Sequence, residues 1–239
     1  MVNGIHYLEA NPTNMWDRNG NPVKYIVLHY VGAVSTAKNN AEYLHRDENL
    51  GWSAHYFVDE NEIWQSVPLT KSAGHCGVDY SNKRAPYWGK CINKNSIGIE
   101  MCCKFDKDGN WFIEPKTVEN TVELVKNLMK DYNIPIDNVL RHYDVCWKTC
   151  PEPWVRDKSQ WENFKKRLEG KPVEEDNLLD WEKIAINRAK EYGITDGKRP
   201  RQECTRVEAM AMAVNAANYA VKTVVELLME AYENLRKEG

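Results

Sequence analysis

No stretch of the chain approaches the roughly 18 consecutive apolar residues that a membrane-spanning helix requires. Nor is there a surplus of positive charge: 32 Lys and Arg stand against 35 Asp and Glu, a net charge of -3, which argues against a nucleic-acid-coating protein. Met1 to Asn21 lacks the basic start and apolar run of a secretory signal, so the chain is expected to be made and folded in the cytoplasm. No tandem repeat is present. The seven cysteines (76, 91, 102, 103, 146, 150 and 204) are odd in number and scattered, unlike the dense, even framework of a small secreted domain, and most are expected to be reduced. Cys102 and Cys103 are adjacent, so on a strand they point to opposite faces and cannot both turn toward one metal; they are read as packing.

At 239 residues the chain has room for one well-buried core and a smaller second unit. Tyr25-Ile-Val-Leu-His-Tyr30 is a short apolar, β-branched run, as expected of a buried central strand, with a histidine near its end. Residues 35–46 have helical composition, and 55–58 with 62–67 read as a hairpin around Asp59-Glu-Asn61. Residues 74–95 show neither period and suggest a long loop walling a groove. A second apolar strand, Ser96 to Met101, delivers the carboxylate of Glu100, and apolar positions 118, 122, 125, 128 and 129 make a helical stripe over 117–132. A last strand over 138–142 and a closing helix over 159–168 follow. Strand and helix alternate, which is the signature of the α/β class. The expected division is a first domain at 1–168, a charged, proline-bearing linker at 169–178, and a small all-helical domain at 179–239.

A catalytic zinc site needs three protein ligands drawn from imidazole, thiolate and carboxylate, with one position kept for water. His29 and His142 end two of the expected strands, and Cys150 lies across a loop long enough to bring its thiolate back to the same point. Each histidine taken alone is more often an ordinary polar residue than a ligand.

Four ordered stretches raise that reading: Val27-Leu-His29-Tyr30, Ser53-Ala-His-Tyr56, Asn95-Ser-Ile-Gly-Ile-Glu100, and Arg141-His142-Tyr-Asp144 through Lys148-Thr-Cys150-Pro151. Over about residues 20 to 165 the sequence resembles the type 2 N-acetylmuramoyl-L-alanine amidases, a family that includes phage lysozyme-like amidases and peptidoglycan recognition proteins. The resemblance implies a mixed central sheet flanked by helices, one Zn2+ held by His29, His142 and Cys150, and catalytic roles for Glu100 and Lys148. It implies hydrolysis of the amide between N-acetylmuramic acid and L-alanine in peptidoglycan. Glu100 would take the proton of water and return it to the departing amine, while zinc and Lys148 stabilise the oxyanion. Ala54 stands where the phage lysozyme-like branch has a tyrosine proposed to assist catalysis, which leaves proton transfer to Glu100. His55 is read as a structural neighbour of the site or a substrate contact, and His75 as a substrate contact from the long loop.

Residues 189–208 resemble one S-layer-homology motif, with Gly193 at a helix end and Thr205 and Glu208 forming a capping box, and so imply attachment to a cell-wall polymer. From Val207 to Leu235 apolar residues recur at alternating steps of three and four, a heptad seam through which two copies would associate. The whole reads as a phage or prophage endolysin that acts on the wall after release. Two other readings share the sequence features: a peptidoglycan recognition module without hydrolysis, and a zinc peptidase acting on the stem peptide.

Overall fold

The computed structural model describes residues 4–77 and 85–170. These belong to a unit that ends at Gly170. The expected linker beyond that point, the helical domain, the S-layer-homology motif and the heptad seam lie outside the described residues.

Nine strands and five α-helices follow one another among the described residues: β1 (Ile5–Tyr7), β2 (Met15–Asp17), β3 (Tyr25–Val34), α1 (Ala37–Arg46), β4 (Tyr56–Val58), β5 (Ile63–Gln65), β6 (Lys71–Ala73), β7 (Ser96–Phe105), β8 (Trp111–Phe112), α2 (Pro115–Tyr132), β9 (Val139–Arg141), α3 (His142–Cys146), α4 (Glu152–Arg156) and α5 (Lys158–Leu168). The main sheet runs β1-β5-β4-β7-β3-β9, with β8 paired to β7, and β2 and β6 form a separate antiparallel pair. It is mixed: β3 is parallel to both β7 and β9, whereas β4 and β5 are antiparallel. The α/β class, with a mixed sheet flanked by helices, is therefore observed.

The long apolar strands are central because both of their faces are covered. On one face Ile26, Leu28, Ile97, Ile99 and Met101 pack with Val122, Val125 and Leu128 of α2 and with Trp161 and Phe164 of α5. On the other, Phe57 and Cys102 pack with Ala37, Ala41 and Leu44 of α1. Cys103 falls in the first cluster and Cys102 in the second, as strand alternation requires. The turn expected at Asp59 forms: its Oδ1 accepts the backbone N–H groups of Asn61 and Glu62, each at 2.8 Å, and its Oδ2 accepts that of Ala37 at the start of α1. No described helix is long and apolar enough to cross a membrane.

Two strand expectations are corrected. His29 does not end its strand but is its fifth residue; the pairing of β3 with β7 becomes irregular only between Tyr30 and Val34. His142 is not the last residue of β9 but the first of α3. At this junction of strand and helix the His142 ring lies 4.5 Å from that of His29, centroid to centroid.

Candidate metal centre

The parallel register of β3 and β7 sets His29 beside Glu100, and alternation puts both on the face opposite Leu28 and Ile99. His142 arrives from α3, whose position is held by Arg141: its backbone N–H and guanidinium donate to the Asp144 carboxylate, and Nη1 donates to the Trp154 carbonyl at 3.0 Å. Trp147 ends α3 in the left-handed region at φ 61°, an uncommon conformation for a bulky side chain. The chain reverses there, and the Tyr143 backbone N–H donates to the Cys150 carbonyl at 2.9 Å. Local backbone geometry thus returns Cys150 to the two histidines.

One ligand atom from each of His29, His142 and Cys150 lies within 4.8 Å of the others, and all three residues are buried. Cys150 Sγ is 3.7 Å from His29 Nδ1, close to the ~3.5 Å separation that tetrahedral zinc–sulfur and zinc–nitrogen bonds would impose. Both ring nitrogens of His142 are buried without a hydrogen-bond partner, as is Glu100 Oε2. Buried polar atoms of this kind ordinarily find partners. A cation among them supplies one, so the donor set fits a metal.

The electrostatics agree. Burial holds His29 well below the ordinary imidazole range, and the neighbouring His142, His75 and Lys148 add to the effect. Burial brings His142 to about 3, with His75 and Lys148 contributing. Both rings are consequently neutral at physiological pH, the state that ligates. Burial pushes the Cys150 thiol up, with Glu100 acting in the same sense and the Tyr30 backbone N–H and Lys148 opposing. Glu100 Oε1 lies 4.0 Å from His29 Nδ1, and burial raises this carboxyl to about 8 against the pull of Lys148. Lys148 itself is exposed at the rim.

The other residues singled out in the sequence take different places. Ala54 is fully buried in the α1 cluster, so that position presents nothing to the site. His55 is fully buried; its Nδ1 accepts the Gly98 backbone N–H at 3.0 Å and its Nε2 faces the Lys71 carbonyl at 3.2 Å. His75 is also buried, with Nδ1 3.0 Å from His29 Nε2 and Nε2 3.1 Å from Ser96 Oγ. Both ring nitrogens of each are engaged within the protein, which fits the structural reading of His55 and turns His75 toward His29 and Ser96. The start of the 74–95 loop sets the His75 ring against His29, with the Asn93 side chain holding the backbone of His75 and Cys76. Sequence reading missed Ser96 and Gly98 as partners of the site; the only local signal was a glycine inside an apolar strand, which marks a close approach.

The family model described as N-acetylmuramoyl-L-alanine amidase matches residues 19–153. A probable N-acetylmuramoyl-L-alanine amidase of Bacillus licheniformis is 35% identical over 184 residues, covering 74% of this chain and 48% of that protein. The N-acetylmuramoyl-L-alanine amidase CwlL of the same organism is 37% identical over 158 residues, covering 62% of this chain and 41% of its own. The chain therefore spans about half the length of the curated relatives it matches. The solved structure of the catalytic domain of XlyA superposes with a TM-score of 0.55 at 27% identity, over 69% of this chain and 99% of that one. Most of the match lies in the unit built around His29, Glu100, His142 and Cys150, and by it the chain belongs to the N-acetylmuramoyl-L-alanine amidase family.

Proposed function

We propose that the protein is a zinc-dependent N-acetylmuramoyl-L-alanine amidase that cleaves bacterial peptidoglycan. The observation that carries this reading is the buried group of His29, His142 and Cys150 with Glu100 beside it, one of whose carboxylate oxygens, Oε2, has no hydrogen-bond partner. Zinc bound there would act as a Lewis acid and acidify water at neutral pH. Glu100 faces the same point from β7 and takes the proton of the attacking water. The oxygen of that water joins the lactyl carbonyl carbon of N-acetylmuramic acid, the carbon–nitrogen bond breaks, and Glu100 returns the proton to the amine of L-alanine. Lys148, exposed at the rim, supplies positive charge where the carbonyl oxygen becomes negative. The relatives named as amidases of the same family support the substrate, and a structural neighbour titled a mutant endolysin from Bacillus subtilis, 28% identical with a TM-score of 0.55, supports an endolysin role.

Product analysis on purified peptidoglycan tests this directly. New free amino groups on L-alanine are expected in step with loss of turbidity. Amines from other residues would instead mean a peptidase, and binding without release would mean a recognition module.

Residues 179–239 are proposed, on their sequence, to hold a cell-wall polymer through the S-layer-homology-like segment and to pair two copies through the heptad seam. Pairing would set two such segments side by side, so that effective concentration strengthens a weak single site. Light scattering at micromolar concentration should show a dimer for the intact chain and a monomer for one ending near Glu174; a monomeric intact chain refutes the pairing.

A further inference from the structure

His75 has no part in the reaction just proposed, yet it is built into the site with unusual care. Asn93 Oδ1 accepts the backbone N–H groups of both His75 and Cys76, at 3.1 and 2.8 Å, and so fixes the start of the loop. The ring then lies against β7 at Gly98, where a Cβ atom would come within 2.5 Å of His75 Cγ. Only glycine at that position admits the imidazole.

The hydrogen bonds of this ring run in one direction. His29 Nδ1 is the nitrogen that faces Cys150 Sγ and Glu100 Oε1, at 3.7 and 4.0 Å, so its lone pair is the one available to a metal. A neutral imidazole with its lone pair on Nδ1 carries its proton on Nε2. His29 Nε2 lies 3.0 Å from His75 Nδ1, which must then accept. His75 in turn carries its proton on Nε2 and donates it to Ser96 Oγ at 3.1 Å, and the Ser96 hydroxyl donates to the Ile92 carbonyl at 2.7 Å. Every donor has one acceptor, and the chain ends on a backbone oxygen that can only accept. The opposite direction would leave the Ile92 carbonyl facing Ser96 without a proton between them. It would also place a proton on His29 Nδ1, where the metal belongs.

We infer that His75, anchored through Ser96 to the Ile92 carbonyl, is a positioning residue that holds His29 in the tautomer able to bind the metal. The inference rests on the metal reading given above. It removes His75 from the substrate and makes it a determinant of metal affinity, as outer partners of ligating histidines are. It also accounts for Ser96 and Gly98: the first terminates the chain of hydrogen bonds, and the second makes room for the ring.

The test uses the full chain and zinc alone as the probe. His75→Phe keeps an aromatic ring but removes the acceptor, and should weaken zinc binding by about 10- to 100-fold in competition with a chromophoric chelator. Ser96→Ala removes one oxygen from a site that remains otherwise intact, and should weaken it in the same direction by about tenfold, the low end of that range. His75→Gln, whose amide oxygen can accept from His29, should recover part of the loss. Nitrogen-15 NMR of the metal-free protein should find His29 protonated on Nε2 in the wild type and distributed between both nitrogens in Ser96→Ala. Wild-type zinc affinity in Ser96→Ala together with His75→Phe, or a His29 proton on Nδ1 in the wild type, would overturn the inference and leave the metal reading standing. Failure of the wild-type protein to take up zinc would overturn both.

Discussion

Replacing Cys150 with serine should abolish stoichiometric zinc binding and, with it, hydrolysis of peptidoglycan. In the proposed site the thiolate would be one of three ligands, and a hydroxyl is a far poorer zinc ligand than a thiolate. Cys150 is almost wholly buried, its Sγ sits 3.7 Å from His29 Nδ1, and the Tyr30 backbone N–H is directed at the sulfur. Burial pushes the free thiol up, so metal binding near neutral pH must displace its proton, and zinc affinity should rise with pH. Loss of an outer partner of a ligand typically costs about 10- to 100-fold in affinity, and loss of the ligand itself should exceed that range. Metal content after gel filtration, measured by plasma mass spectrometry, checks the result. Cys204→Ser, which alters a cysteine assigned no role, should retain one zinc per chain. A Cys150→Ser protein that keeps both zinc and activity would show that the metal lies elsewhere.

Glu100→Gln should keep its zinc and lose about 10²- to 10⁴-fold in turnover, the usual contribution of a positioned general acid–base group. The substitution preserves shape and removes only the ability to take a proton. Burial raises the Glu100 carboxyl to about 8, while Lys148 opposes the shift. A divalent cation among His29, His142 and Cys150 would oppose it further, because positive charge favours the carboxylate. The base form is the deprotonated one, so kcat/KM of the wild type should rise with pH along an acidic limb, and that limb should be missing from Glu100→Gln. Turbidity loss of purified peptidoglycan across a pH series measures both effects. Wild-type rates in the glutamine variant would assign proton transfer to another group.

The sequence by itself determined whatever repeats over several residues or is carried by a side chain's own chemistry. The apolar run of β3, the stripe of α2 and the Asp59 turn were legible because burial on a sheet or along a helix imposes a period, and an Asx turn needs only its own few residues. The residue types of the candidate metal group, His29, His142 and Cys150, were legible as well, since imidazole and thiolate are what zinc selects. Short edge strands were not. β1, β2, β6 and β8 have two or three residues each, too few for a period, and they exist because a partner strand offers them hydrogen bonds. The start of α3 at His142 was hidden in part for a similar reason: the Arg141–Asp144 bonds are local to its first turn, but the Arg141–Trp154 bond that also holds it is made only once the chain has folded back. Above all, tertiary structure alone decided what His75 does. Its ring nitrogens meet His29 and Ser96 across three separate segments, and its place against the sheet depends on the missing side chain of Gly98. A hydrogen bond's direction depends on every partner at once, and those partners come together only in the folded chain.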